Sequence, residues 1–233
     1  MKRRTTLASL FLILCGFAIL PSDCGTLLFF KEGTSTTMTS YNDDGKITGS
    51  SKTVYSKVTK LPGGVSVTAN QENFDKKGKS NSKSEFTIKC DKGVLYFDMK
   101  SMMTDQQAES YKDFEMTVEG ADKEIPSEFV VGSTLKDANM KITVKTKDGM
   151  PMPMMNMSFK VTNRKIEAKE SITTPAGTFE CYKITEDIET KTMFTIKMKS
   201  VNWFSHEAGN VKTETYKESG KYMGKSELTE IKK

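Results

Sequence analysis

Five of the 15 methionines fall within eight residues, Met150-Pro151-Met152-Pro153-Met154-Met155-Asn156-Met157. Thioethers are soft ligands, so such a cluster could hold Cu(I). Unbranched, polarizable side chains also suit an adaptable apolar binding surface. The plainer alternative places Met155 and Met157 in the core of a strand and leaves the Pro-spaced methionines on a loop rim. The sole histidine lies in Ser205-His206-Glu207, shortly after the sole tryptophan, Trp203. Nucleophile, base and orienter are present by type. Consecutive strand residues point to opposite faces, however, so three neighbours cannot line up as a triad. No Gly-x-Ser-x-Gly elbow and no second His support hydrolysis. If this segment is a turn, His206 is a solvated side chain near Gly209. One His and widely spaced Cys lack the spacing of a zinc site. Asn42-Asp43-Asp44-Gly45 is acidic but lacks the later Glu of an EF-hand loop, and it reads as a polar hairpin turn. The pair Glu186-Asp187 diverges across a strand for the same reason as the Ser-His-Glu run. The expectation is a protein that is not an enzyme and carries no cofactor and no metal.

The N-terminus reads as an export signal. Lys2, Arg3 and Arg4 precede an apolar run from Thr6 to Leu20, and Pro21 ends it. The run is short for a bilayer span and polar sequence follows, so a cleaved signal peptide is expected over residues 1–22. Cleavage after Ala18 and cleavage after Ser22 both remain open, with a mature start near Asp23 preferred. Leu14 before Cys15 and Asp23 before Cys24 suit lipid attachment badly. Removing residues 1–22 leaves 32 basic against 30 acidic residues, a net charge of +2. That is too small a charge to attract nucleic acid. Arg164 is then the only arginine, which argues further against phosphate-backbone recognition. No later segment is long and apolar enough to span a membrane. Cys24, Cys90 and Cys181 remain, enough for one disulfide in an oxidising compartment. The preferred pair is Cys24–Cys90, stapling the mature N-terminus to the sheet. Cys90–Cys181, or three buried thiols, are the alternatives.

Strand signals dominate what must position these residues. Thr53–Thr59 and Val65–Phe74 flank the turn Leu61-Pro62-Gly63-Gly64. Gly78 marks a second turn. Phe86, Ile88 and Cys90 then alternate against Glu85, Thr87 and Lys89. Asp91-Lys92-Gly93 turns into Val94–Met99, and Ser35–Tyr41 forms an earlier strand. Thr104 and Gln107 match a capping box for one short helix ending near Lys112. Ile125-Pro126 to Gly132 reads as a loop. Met140, Ile142 and Val144 alternate, and Met155, Met157, Phe159 and Val161 continue the pattern. Thr174-Pro175-Ala176-Gly177 makes a turn. Phe194, Ile196 and Met198 lie in even register while Val201 and Trp203 lie in odd register, which predicts a bulge near Ser200. The expected fold is mainly β, over residues 23–233 as one domain. It is a single strongly curved antiparallel sheet, a half-barrel or open barrel, with about ten or eleven strands and one short helix.

Four segments carry a resemblance: DCGTLLFFKEG (Asp23–Gly33), YNDDGKITGS (Tyr41–Ser50), ITTPAGTFECYKI (Ile172–Ile184) and WFSHEAGNVKTE (Trp203–Glu214). Together they resemble the TapB-like, DUF3108-like family of exported bacterial proteins. The resemblance implies a curved β-sheet similar in shape to the periplasmic lipoprotein carriers. It implies no established activity and supplies no catalytic residues. The functional expectation is a periplasmic or secreted protein that binds a lipid-like or apolar ligand on its concave face. Met152, Met154, Met155, Met157 and Trp203 are its candidate ligand-binding residues. An envelope assembly protein with no small ligand, and Met-rich copper binding, are the alternatives; no protein partner is indicated.

Overall fold

The computed structural model describes residues 27–98, 113–126 and 128–233. The expected signal peptide, Cys15, Cys24 and the expected helix ending near residue 112 lie outside these residues. The strands are β1 (Ser35–Asn42), β2 (Ile47–Leu61), β3 (Gly64–Asp75), β4 (Ser80–Asp91), β5 (Val94–Phe97), β6 (Phe114–Ala121) and β7 (Lys123–Pro126). They continue with β8 (Ala138–Thr146), β9 (Met157–Thr174), β10 (Gly177–Lys191), β11 (Thr195–Ser205), β12 (Gly209–Lys217) and β13 (Tyr222–Lys232). All belong to one sheet in the order β6-β8-β9-β10-β11-β12-β13-β1-β2-β3-β4-β5-β7. Every pairing is antiparallel. The sheet is therefore two meanders, β8–β13 and β1–β5, joined where the last strand pairs with the first, Ser35 opposite Lys232.

The turns sit where Gly and Pro demand them. Pro62-Gly63 joins β2 to β3, and Lys92 and Gly93, at φ 48° and 78°, join β4 to β5. The thirteen strands exceed the expected number. One of the extra strands is Lys123–Pro126, whose end was expected as the start of a loop. It is too short to display alternation, and its closing Pro is tolerated because β7 is an edge strand.

The two edge strands lie at opposite ends of the sheet, yet only Asp122 separates them in the chain. Phe114–Ala121 pairs with β8, and Lys123–Pro126 pairs with β5. The sheet therefore curls until its edges meet at Asp122, without a ladder to close it. Ion pairs reinforce the curl from β7: Lys123 to Glu186 on β10 at 2.8 Å, and Glu124 to Lys136 just before β8 at 2.9 Å. Register shifts at Tyr55/Lys57, Lys183/Ile184, Thr185/Asp187 and Trp203/Phe204 supply bends, since each adds a residue to one strand of a pair.

The shift expected near Ser200 falls elsewhere. The β10–β11 ladder runs unbroken from Lys191↔Thr195 to Tyr182↔Phe204, and the break is between β11 and β12 at Trp203/Phe204. Phe194 and Ile196 are not core residues: they are 74% and 54% exposed. The β12 ladder reaches only to Met198, so the β10–β11 hairpin tip extends past the strand that could cover it.

The main core fills the inside of the curl, with Val67, Ile88, Leu95, Ile125, Ile166 and Ile184 among its members. Leu27, Leu28, Phe29 and Phe30, ahead of β1, are all buried and form a plug. The Leu28 N–H donates to the Glu207 carbonyl, tying the plug to the β11–β12 turn.

Candidate functional site

Inside the curl lies a cavity of about 480 Å³. Side-chain alternation decides what reaches it. Ile184 and Glu186 of β10 face inward, as do Asn202 of β11, which pairs with Ile184, and Phe204 two residues on. Ser51, Thr53 and Tyr55 do the same from β2. The lining is mixed: Phe29, Phe86, Ile88, Phe97 and Ile125 are apolar, Arg164, Lys123 and Glu186 are charged, and Thr36, Ser40, Thr53 and Gln71 are polar.

A bulge delivers Arg164 to this position. In the β9–β10 ladder Thr162 pairs with Asp187 and Lys165 with Thr185, so Asn163 and Arg164 together oppose Glu186. Asn163 takes the extra-residue conformation at φ 52°, which Asn tolerates better than most residues. Its side chain donates to the Asp187 carboxylate at 2.8 Å on the outer face. The bulge thus leaves Val161, Arg164 and Ile166 all buried on one face despite their uneven spacing.

The Arg164 side chain has no solvent exposure, Glu186 has 4% and Lys123 24%. Glu186 Oε1 accepts from Lys123 Nζ at 2.8 Å and from Asn202 Nδ2 at 3.0 Å. Glu186 Oε2 lies 3.5 Å from Arg164 Nε, an ion-pair distance without an aligned hydrogen bond. Arg164 Nη1 donates to the Lys136 carbonyl, while Nε and Nη2 find no acceptor. Asn202 Oδ1 in turn accepts from Thr213, extending the network to β12. Burial lowers the basicity of both Lys123 and Arg164, and Glu186 opposes that shift in each.

The structure brings none of the five expected ligand-binding residues to this cavity. Met152, Met155 and Met157 pack against Met140, Ile142 and Val144, and Met154 is 72% exposed. Met155 lies in a single 3-10 turn, Pro153–Met155, ahead of β9 rather than in the strand. The thioethers therefore divide between packing and solvent. Trp203 faces away from the cavity because its neighbours Asn202 and Phe204 face in. Its indole N–H donates to Glu170, and the ammonium groups of Lys183 and Lys212 lie 5.6 and 4.5 Å from its ring centroid.

His206 lies in the turn after β11 and is half-buried rather than fully solvated. Its ring lies 4.9 Å from Phe129 and 5.5 Å from Tyr182, and burial, with Lys169 nearby, lowers its basicity. The Ser205 hydroxyl accepts from the Glu207 N–H, which folds the turn and leaves no Ser-His pair. Glu186 faces the cavity while Asp187 does not, as adjacency in a strand requires. Cys90 is disulfide-bonded and Cys181 is a buried free thiol, so the Cys90–Cys181 alternative is not formed. Cys24 lies outside the described residues. Burial, helped by Glu180 and Glu170, pushes the Cys181 thiol up to about 12, so it stays protonated. Among the described residues, no three His, Cys, Asp or Glu side chains gather as metal ligands, and no helix is long and apolar enough to cross a membrane.

Residues that line the charged wall escaped sequence reasoning. The one usable signal is that Arg164 is the only arginine after residue 4, on a chain that otherwise uses lysine. Glu186 gives none, because an ionisable residue mid-strand reads as a solvated face.

Two crystal structures share this architecture. A chain from Bacteroides fragilis, provisionally described as an exported protein with a YmcC-like fold, matches at TM-score 0.69 and 24% identity, over 87% of this chain and 97% of its own. A chain from Parabacteroides distasonis, provisionally described as a lipoprotein, matches at TM-score 0.68 and 23% identity, over 88% of this chain and 99% of its own. At these identities they show the fold alone. No curated protein matches the chain. The DUF3108-like family model matches residues 31–228, from just ahead of β1 to within β13 and across nearly the whole wall of the cavity, and the chain belongs to the DUF3108-like family.

Proposed function

We propose that this chain is a non-enzymatic, extracytoplasmic binding protein that holds one lipid-like ligand inside its curled sheet. The cavity carries this reading. A half-open space of about 480 Å³ is of ligand size, within the roughly 300–1,000 Å³ of small-molecule pockets. Its aromatic and aliphatic wall suits a hydrocarbon chain. Export is supported by the charged and apolar N-terminal residues and by the descriptions of the two structural neighbours. A non-catalytic role is supported by the aromatic packing of the sole His and the turn hydrogen bond of Ser205.

The neutral fluorophore N-phenyl-1-naphthylamine tests the reading. The purified protein is expected to bind it saturably with a blue-shifted emission. Ser51 lines the cavity and is only half-buried, so Ser51→Trp fills the space without disturbing the core. That variant is expected to lose at least tenfold in affinity with its thermal unfolding unchanged, a loss of about 1.4 kcal/mol or more of binding. Absence of saturable binding to the unmodified protein would favour an assembly protein with no small ligand.

A further inference from the structure

The charged wall of the cavity specifies the ligand more closely, and this inference rests on the apolar-ligand reading above. Arg164 and Lys123 face the Glu186 carboxylate, and Asp137 and the Glu124–Lys136 pair lie close enough to act on Arg164 as well. The Glu186 carboxylate is already engaged. Its Oε1 accepts from Lys123 and Asn202, and its Oε2 lies 3.5 Å from Arg164 Nε without an aligned bond. Arg164 is held from behind by Nη1 on the Lys136 carbonyl. Its Nε and Nη2 donors are buried and unpartnered.

These two donors share one edge of the guanidinium plane. Parallel N–H groups on that edge form the fork that matches two oxygens of a carboxylate or phosphate. Leaving them empty is costly, because a buried donor without an acceptor loses its hydration with nothing in return. The Asn163 bulge and the Lys136 carbonyl together fix the fork in place, and the side chain itself has no solvent exposure. Within the same cavity, the aromatic wall of Phe29, Phe86 and Phe97 offers an apolar surface.

The geometry points to a single-chain amphiphile with one anionic head, its oxygens on the Nε–Nη2 edge of Arg164 and its chain along the aromatic wall. The cavity volume of about 480 Å³ lies within the roughly 300–1,000 Å³ of small-molecule pockets, a size that suits one acyl chain. Fatty carboxylates and single-chain lipid phosphates share this chemistry.

Displacement of bound N-phenyl-1-naphthylamine from the full protein tests the inference. The competitors are laurate, dodecyl phosphate, dodecanol and dodecyltrimethylammonium, each below its micellar concentration. Laurate or dodecyl phosphate is expected to displace the fluorophore at least tenfold better than dodecanol, and dodecyltrimethylammonium least well. The stronger of the two anions identifies the source as a carboxylate or a phosphate. Arg164→Met leaves Glu186 with Lys123 and Asn202, and in the folded variant it should erase the ratio between displacement by the anions and by dodecanol. Arg164→Lys, which keeps the charge and loses the fork, should retain only part of it. Equal displacement by anion and alcohol in the unmodified protein overturns the inference whether or not the variants fold, as does an unchanged preference in folded Arg164→Met. Failure of the fluorophore itself to bind is a different result, and it removes the apolar-ligand reading beneath this one.

Discussion

Glu186→Leu is expected to destabilise the protein by about 3–5 kcal/mol, the usual cost of removing one partner from a buried ion pair. The substitution keeps the volume near that of Glu but leaves Arg164 and Lys123 facing each other without a counter-charge. Lys123 can respond by giving up its proton, since burial already lowers its basicity. Arg164 cannot, because guanidinium stays charged in proteins. The Asn202 amide also loses its acceptor. A triple variant separates charge from packing. Replacing Lys123 and Arg164 with Met and Glu186 with Leu removes every charge of the cluster, and buried clusters exchanged this way often match the parent in stability. Urea unfolding should therefore show a large loss for Glu186→Leu and recovery of most of it in the triple variant. A loss below about 1 kcal/mol for Glu186→Leu, the scale of an exposed pair, would show that this wall is solvated.

The second large effect concerns the backbone where β3 begins beside the end of β4. A Cβ on Gly64 would lie 1.8 Å from the carbonyl oxygen of Cys90 and 2.8 Å from its carbonyl carbon. Both are backbone atoms in the neighbouring strand, where Gly64 pairs with Asp91 and Val65 with Cys90. No rotamer relieves that contact, so the strands must part where the core meets the turn. Gly64→Ala is expected to cost about 3 kcal/mol or more, at the upper end of overpacking effects. Gly78 is the control. It has φ 78° and nothing within 4 Å of a built Cβ, so Gly78→Ala meets only the left-handed backbone penalty, about 1–2 kcal/mol. Equal midpoints for the two variants in urea would contradict the close approach at Gly64.

These two sites also mark what the sequence could and could not disclose. Turns were legible because Pro62-Gly63, Gly78 and Lys92-Gly93 impose local backbone requirements that no distant contact alters. The curved antiparallel sheet followed from the strands those turns separate. The inner face was much less legible. Each bulge moves alternation by one residue in the strand that carries it, at Ser56 of β2, Asn163 of β9 and Val211 of β12. Trp203 attracted a site assignment that belongs to its neighbours Asn202 and Phe204, because residue type does not say which face of β11 turns inward. The methionine cluster misled in a different way. Its local density is real, but density says nothing of which strands curl over it, and three of its members serve the small core around Ile142. Arg164 stood out in the sequence only as a sole arginine, because its buried counter-charge lies 22 residues away on the next strand.

On the proposal above, the interior of the curl is a ligand site and not an imperfect core. Native mass spectrometry of protein purified without detergent, paired with organic extraction and lipid analysis, tests it most directly. A bound adduct of one single-chain anionic amphiphile per chain is expected, lost in Ser51→Trp and depleted in Arg164→Met. A mass equal to the bare polypeptide, from protein that also fails to take up added laurate or dodecyl phosphate, would contradict the proposal.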